Sequence, residues 1–456
     1  MTLNQSSSNK TKIRPLAGGY LAALLVASFV AALTVYMGYE AYGVCLGLVS
    51  WTAIYLLWFG DRIVFDGKRV VRTGFFPRTW AAATGTRDRL KINDIEQVET
   101  AMFPGLRRGR NLYYTYRTTV TGKSARFVFS SAYRGYPAMV RTLLTKLADD
   151  ILDNPSLDLR DYLIEKSELR LRAREADIPS TEVLDGSLRE IKLLATGYGS
   201  APDQDDTGEK ANGLRKLGNQ LRLGGRSVQA LEAFRRAAVL RPRDARLLFE
   251  FSACVLSLAG AERDLKLEQK ALALMRLAER HAGDDHDLLA RMGECYAQIG
   301  QWRRASIVFR RVVDAFGHNF RTLRGMAELA LREGKIAHVI HNFAAAGEQA
   351  SSSSLKRWTK TEVEYFSHLN SDEEYMELEI SRVNLLDTLE RTKRSSLRIA
   401  IFGFLVIGLG VSLGEDLIAN LGWAVSALSL TVWIAMIFMT RMLSPRIPFE
   451  LVEDDE

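Results

Sequence analysis

Metal, redox and nucleotide chemistry have little to work with in this chain. Its 456 residues include three cysteines, Cys45, Cys254 and Cys295, far apart in sequence. That excludes a disulfide scaffold and every paired-cysteine metal site; Cys254 and Cys295 are read as core thiols. Among six histidines, His338 and His341 share a helical spacing, but no third ligand accompanies them. No Gly-xxxx-Gly-Lys-Ser/Thr loop and no HExxH run occurs. The sequence therefore implies no catalytic residue, no metal, no cofactor and no enzyme. Charge is missing too, but only locally: none falls within 16–39, 41–60, 399–413 or 417–440. The globular-looking totals, 47% apolar and 25% charged, add unlike parts.

Each charge-free run can supply most of the roughly 20 apolar residues that span a bilayer. The third is short alone and draws on Leu417 or the stem of Arg398. Lys10, Lys12 and Arg14 resemble the basic start of a signal peptide. The apolar run behind them is too long for one, and a second follows at once, so retained spans are expected. Lys10, Lys12, Arg14, Arg62, Lys68, Arg69 and Arg72 flank the first pair. Arg391, Lys393, Arg394, Arg398, Arg441 and Arg446 flank the second, while the short turns hold only Glu40, Glu415 and Asp416. By the positive-inside rule both termini and residues 61–398 are cytoplasmic. Two hairpins, 16–60 and 399–440, result, with an N-terminal tail at 1–15 and an acidic tail at 441–456. Gly43-xxx-Gly47 and Gly410-xxx-Gly414 offer close helix packing. No Asp, Glu, Lys, Arg or His lies within a span, which argues against a transporter.

Residues 61–152 change period. Asp66-Gly67 sits between Ile63-Val64-Phe65 and Val70-Val71, a hairpin signal. Tyr114, Tyr116, Thr118 and Val120 alternate, Gly122-Lys123 turns, and Phe127 and Phe129 follow. Val140, Leu143, Leu144, Leu147 and Ile151 then share one helical face. Strands closed by one amphipathic helix, directly after a membrane pair, resemble the bacterial pleckstrin-homology-like domains. The resemblance implies a small β-barrel or sandwich, no catalytic residues and a bacterial inner-membrane setting. Between 61 and 150 there are 17 Lys+Arg and 8 Asp+Glu. Arg107, Arg108 and Arg110, read as loop, form a candidate lipid-facing patch, since a basic surface at an anionic leaflet gains about 1 kcal/mol per cation.

Charged helices are expected over 153–198, at Leu157–Ala176 and Glu182–Leu194, with a linker at 199–210. Beyond it Gly218, Ala230 and Phe234 recur 75 residues later as Gly293, Ala305 and Phe309. Two repeats of about 34 residues and a short insertion account for the displacement. With Leu214, Leu217, Leu221, Ala237 and Pro242 in the first unit, and Leu289, Met292, Tyr296, Val312 and Gly317 in the third, the pattern resembles the tetratricopeptide repeat (TPR). It implies an all-α solenoid of four units over 211–353, then a helical connector over 354–398. Such arrays bind peptides or helices of other proteins in a concave groove. Arg215 and Asn219, with Arg291, match positions that one subset of the family uses to hold a terminal carboxylate. Glu250 and Asp287 stand where that subset has Asn and Lys. A diffuse preference for an acidic segment is therefore expected over a dedicated clamp; the array holds 23 Lys+Arg and 15 Asp+Glu.

Together these features describe a membrane-anchored multidomain chain: four transmembrane helices as two terminal hairpins, a pleckstrin-homology-like β module and a TPR solenoid. The expected role is an inner-membrane scaffold or assembly subunit that binds a protein partner through the groove. The alternative is a surface sensor binding anionic lipid through the β module. Membrane lipids are partners in either case, nucleic acid is not expected, and an oligomer or larger membrane complex is compatible with both.

Overall fold

The computed structural model describes residues 10–75, 78–79, 88–108, 111–123, 125–180, 184, 205–444 and 446. The chain forms two compact units. One contains residues up to Leu16 and Gly60–Val363, and the other contains Ala17–Phe59 and residues from Glu364 onward.

In the first unit, strands β1 (Thr11–Ile13), β2 (Arg62–Phe65), β3 (Arg69–Thr73) and β4 (Arg89–Lys91) form one antiparallel sheet in that order. The expected turn is there: Asp66 Oδ1 accepts from Lys68 N at 3.0 Å and Arg69 N at 2.9 Å, and Gly67 takes φ +89°. Thr11–Ile13, read as tail, pairs with Phe65–Ile63 as an edge strand. Ile13 is the reason, since it is buried in the module's core. Strands β5 (Ile95–Arg108), β6 (Asn111–Gly122) and β7 (Ala125–Ser130) form a second sheet. The described residues make two small sheets and no closed barrel. A 3₁₀ turn at Ile92–Asp94 interrupts the chain between β4 and β5. Helices α1 (Gly18–Tyr36) and α2 (Glu40–Gly60) belong to the other unit. Helix α3 (Tyr136–Leu144) covers the sheets with Met139, Val140, Leu143 and Leu144, none of which retains any exposure. They meet Phe65, Val70, Val120 and Phe129 in one core.

The expected helix over Leu157–Ala176 is two helices, α4 (Asn154–Tyr162) and α5 (Lys166–Glu175). Leu163 is extended between them, its carbonyl held by the Arg141 guanidinium at 3.0 and 3.2 Å. Most of the second expected helix, Glu182–Leu194, lies outside the described residues. Four helix pairs follow: α6 (Asp205–Leu223) with α7 (Ser227–Leu240), α8 (Ala245–Glu262) with α9 (Leu265–His281), α10 (His286–Gln298) with α11 (Trp302–Phe316), and α12 (Phe320–Arg332) with α13 (Ile336–Gln349). This is a TPR-like helical repeat, and its packing explains the recurring residues. A Cβ on Gly218 would stand 2.9 Å from the Phe234 ring, and one on Gly293 2.4 Å from the Phe309 ring. Gly225, Gly300 and Gly334 turn three of the pairs at φ +79°, +80° and +72°, where only glycine is unstrained. The insertion lengthens α8 to 18 residues against 13 in α10. Asp244, Asp264, Asp285 and Asn319 cap helix starts by accepting from backbone amides. Helix α14 (Ser353–Ser371) follows the array.

The second unit holds α1, α2, α15 (Glu373–Leu413) and α16 (Asp416–Leu443), each long and apolar enough to cross a membrane by length and composition. The short third span is the end of one 41-residue helix that also contains the second part of the expected connector; the first part is the separate helix α14, and the break falls at Asp372. Gly43 packs on α1, where a Cβ would meet Val35 at 2.5 Å, and Gly410 packs on Ala419. Gly414 is instead the left-handed cap of α15, φ +68°, so it serves the turn and not a helix face. Gly403 and Gly422 form a contact that no motif announced: a Cβ on Gly403 would lie 2.2 Å from Ser426 Oγ. Phe29, Ala400 and Leu430 bury one another, and Tyr36 donates to Asn420 at 2.7 Å, so the two hairpins pack together.

Candidate functional site

Helices α6, α8 and α12 reach the β module, and α10 meets α4. Leu223 of α6 and Phe320 and Leu323 of α12 enter the module's own apolar core. The tip-proximal Tyr114 of β6 donates to the carbonyl of Ser257, just where α8 outgrows its counterpart α10. The inner face of the array is thereby filled by the chain itself.

Its polar residues follow suit. Asn154, Asp158 and Tyr162 stand four residues apart on α4 and so form one stripe. Asp158 accepts from Arg222 at 2.6 Å and from Arg291 at 3.2 Å. Asn154 Oδ1 accepts from Arg291 Nε at 3.0 Å, and Tyr162 donates to Glu250 at 2.8 Å. Glu250 also accepts from Arg215 at 2.7 Å and from Asn219 at 2.6 Å. Farther along, Arg321 of α12 donates to the Asp149 and Leu152 carbonyls and pairs with Glu294 at 2.7 Å. The three groove residues singled out in the sequence, Arg215, Asn219 and Arg291, are thus brought into one network. Each is engaged by groups of this same chain. Glu250, which looked hostile to a carboxylate ligand, is the carboxylate that Arg215 and Asn219 hold. Asp287, the other acid, is exposed on the first turn of α10.

Electrostatics follow from burial. Burial pushes the Glu250 carboxyl up, and the Arg215 charge opposes it. Burial works against the charge of Arg222, but facing Asp158 more than compensates and holds its pKa above the ordinary value. Asp153, the α4 cap, accepts from Thr100 N at 2.8 Å and Ser156 N at 2.9 Å. Burial still raises it to about 6, against those donors. Cys254 is pushed up to about 12 by burial and is unreactive in that state. The partners Asn154, Asp158 and Tyr162 were missed in sequence. Their four-residue spacing was the available signal.

A pocket of ≈ 400 Å³ opens beside Arg215, lined also by Glu209, Asn212, Arg241, Asp244 and Arg246. On the β module, Arg107 and Arg108 are not loop. Their backbones pair with Leu112 and Asn111, because the register shift between Pro104 and Arg107 absorbs the interruption and the ladder resumes. Arg110 lies outside the described residues.

No protein-family profile matches the sequence. No curated protein matches it either. Among solved structures, a thermophilic TPR protein of Thermus thermophilus aligns at 20% identity over 44% of this chain and 99% of that one, with a TM-score of 0.29. The Cut9–Hcn1 hetero-tetramer of the APC/C aligns at 14% identity over 66% of this chain, with a TM-score of 0.29. This chain spans about half of that one, 52%. The repeat assignment rests on the helix pairs and their glycine–phenylalanine contacts.

Proposed function

We propose that the chain is a membrane-anchored protein-interaction platform. On this reading it sits in a bacterial inner membrane with both termini and residues 61–398 cytoplasmic. Its pleckstrin-homology-like module and TPR array act as one body that holds a protein partner at the membrane. The observation that carries the proposal is the network joining α4 to α6, α8 and α10: it makes module and array a single platform. Of the three groove residues, Arg291 engages a partner on this reading only if its segment replaces α4 and supplies a carboxylate in place of Asp158, and Arg215 and Asn219 only if that carboxylate displaces Glu250. The basic excess of the array favours an acidic segment.

The test is isolation of the full-length protein in native lipid particles, with a reporter fused at Gly283. A cytoplasmic reporter and a second polypeptide retained in fixed ratio are the expected results. A reporter outside the cytoplasm, or a chain that is always recovered alone, overturns the proposal. The lipid-sensor reading, through Arg107, Arg108 and Arg110, is favoured by the charge excess of 61–150. It requires that reversing those three charges weaken attachment to anionic vesicles.

A further inference from the structure

With the inner face occupied, the outer helices are where an incoming partner finds unmet charge. On α9 the residues Lys266, Lys270, Arg276 and Arg280 are exposed, and on α11 so are Arg303, Arg310 and Arg311. Helical spacing puts each set on one arc: positions 266, 270, 276 and 280 fall within about 120° of the α9 circumference, and 303, 310 and 311 within about 100° on α11. The Glu279–Arg304 ion pair, 3.0 Å, joins the two helices, so the arcs lie side by side. That pair neutralises one cation. The seven others meet no carboxylate in a hydrogen bond or ion pair among the described residues, although Glu333 is near enough to feel Arg310. Asp314 is the one acid on the α11 arc, and the α9 arc has none. Ile307, 64% exposed, stands among the cations.

The contrast with the inner face is direct. Arg215, Arg222, Arg291 and Arg321 each meet a carboxylate of the chain. Like charges spaced i, i+4, such as Lys266 with Lys270 and Arg276 with Arg280, repel, and an anion laid across them relieves that cost. Arginine predominates, and its planar fork favours bidentate pairing with carboxylates. The isolated apolar Ile307 suits a protein segment with a hydrophobic residue among its acids.

We infer that the α9–α11 face is the docking surface for an acidic, helix-forming segment of a partner protein, and that the inner groove is not. This rests on the acidic-partner part of the proposed function and moves its location. The full-length protein in neutral phosphatidylcholine nanodiscs, titrated with a fluorescent Glu- and Leu-containing helical peptide, tests it. R276E/R280E and R303E/R310E should each weaken binding at least tenfold and flatten its salt dependence. R243E, an exposed charge off the face, should change it less than twofold. The milder R276Q/R280Q guards against misfolding and should weaken binding in the same direction. Wild-type binding with unchanged affinity in both double variants overturns the placement alone. A wild type that binds no acidic peptide overturns the acidic-partner reading with it. Equal loss in R243E, or loss confined to anionic vesicles or to single-stranded RNA while peptide binding persists, also overturns the inference.

Discussion

The two faces of the repeat array are built from the same residue type and behave oppositely. On the inner face arginine is buried and answered: the Arg222 and Arg291 side chains are 5% and 8% exposed, and both converge on Asp158. On the outer face Arg276, Arg280, Arg303 and Arg310 are exposed and carry no such partner among the described residues. The net charge of the array thus does not tell where on it an acidic partner binds. Charges already engaged within the chain hold the platform together, and those left over are the ones a partner meets.

The sharpest way to break that contrast is Asp158→Ala. It strands two buried guanidiniums and should cost about 3–5 kcal/mol, read as a large fall in the melting temperature of the solubilised protein. A loss under about 1 kcal/mol would mean that α4 is held loosely and exchanges with a partner.

Next in size is the pH dependence of the α4 cap. Asp153 has its folded pKa raised to about 6, above an unfolded value near 4. Between those values the folded state binds more protons, so this group's contribution to stability is present at low pH and is lost as pH rises from about 4 to 6. The full excursion is about 3 kcal/mol. The stability difference between wild type and Asp153→Asn, followed over that window, should therefore shift against the wild type as pH rises. A flat difference refutes the assignment.

Smaller again is a glycine pair. Gly293→Ala drives a methyl into the buried Phe309 ring and should cost about 1–3 kcal/mol. Gly213→Ala on α6 meets nothing within 4 Å and should stabilise by up to about 1 kcal/mol. Chemical denaturation of the two variants gives opposite signs if the repeat packing is as described. The smallest effect is on the outer face, where Arg276→Gln with Arg280→Gln should leave stability within about 0.5 kcal/mol of wild type. Exposed charges without partners have little folding energy to lose.

Much of this fold is legible from local pattern. The Asp66-Gly67 turn, the four apolar spans and the Gly218/Gly293 repeat spacing all depend on residues close in sequence or on a strict period. The misreadings share a cause. Thr11–Ile13 read as tail because its strand partner lies beyond two apolar helices. Arg107 and Arg108 read as loop because Pro104-Gly105 signals a break, and only the pairing across the hairpin shows that the ladder survives it. Gly403 and Gly422 lie on different helices, so no motif links them.

The candidate site divides in the same way. Its residue types and their places on the repeat helices were determined by the sequence alone, because the helical period and the repeat length assign each side chain to a face. What those side chains hold was decided by tertiary structure. Arg291 and Asp158 are 133 residues apart, and Asn219 and Glu250 lie on helices of different repeats. Their pairing depends on the β module folding back into the array and excluding water. That burial makes an unmatched charge costly enough for each cation to require its partner.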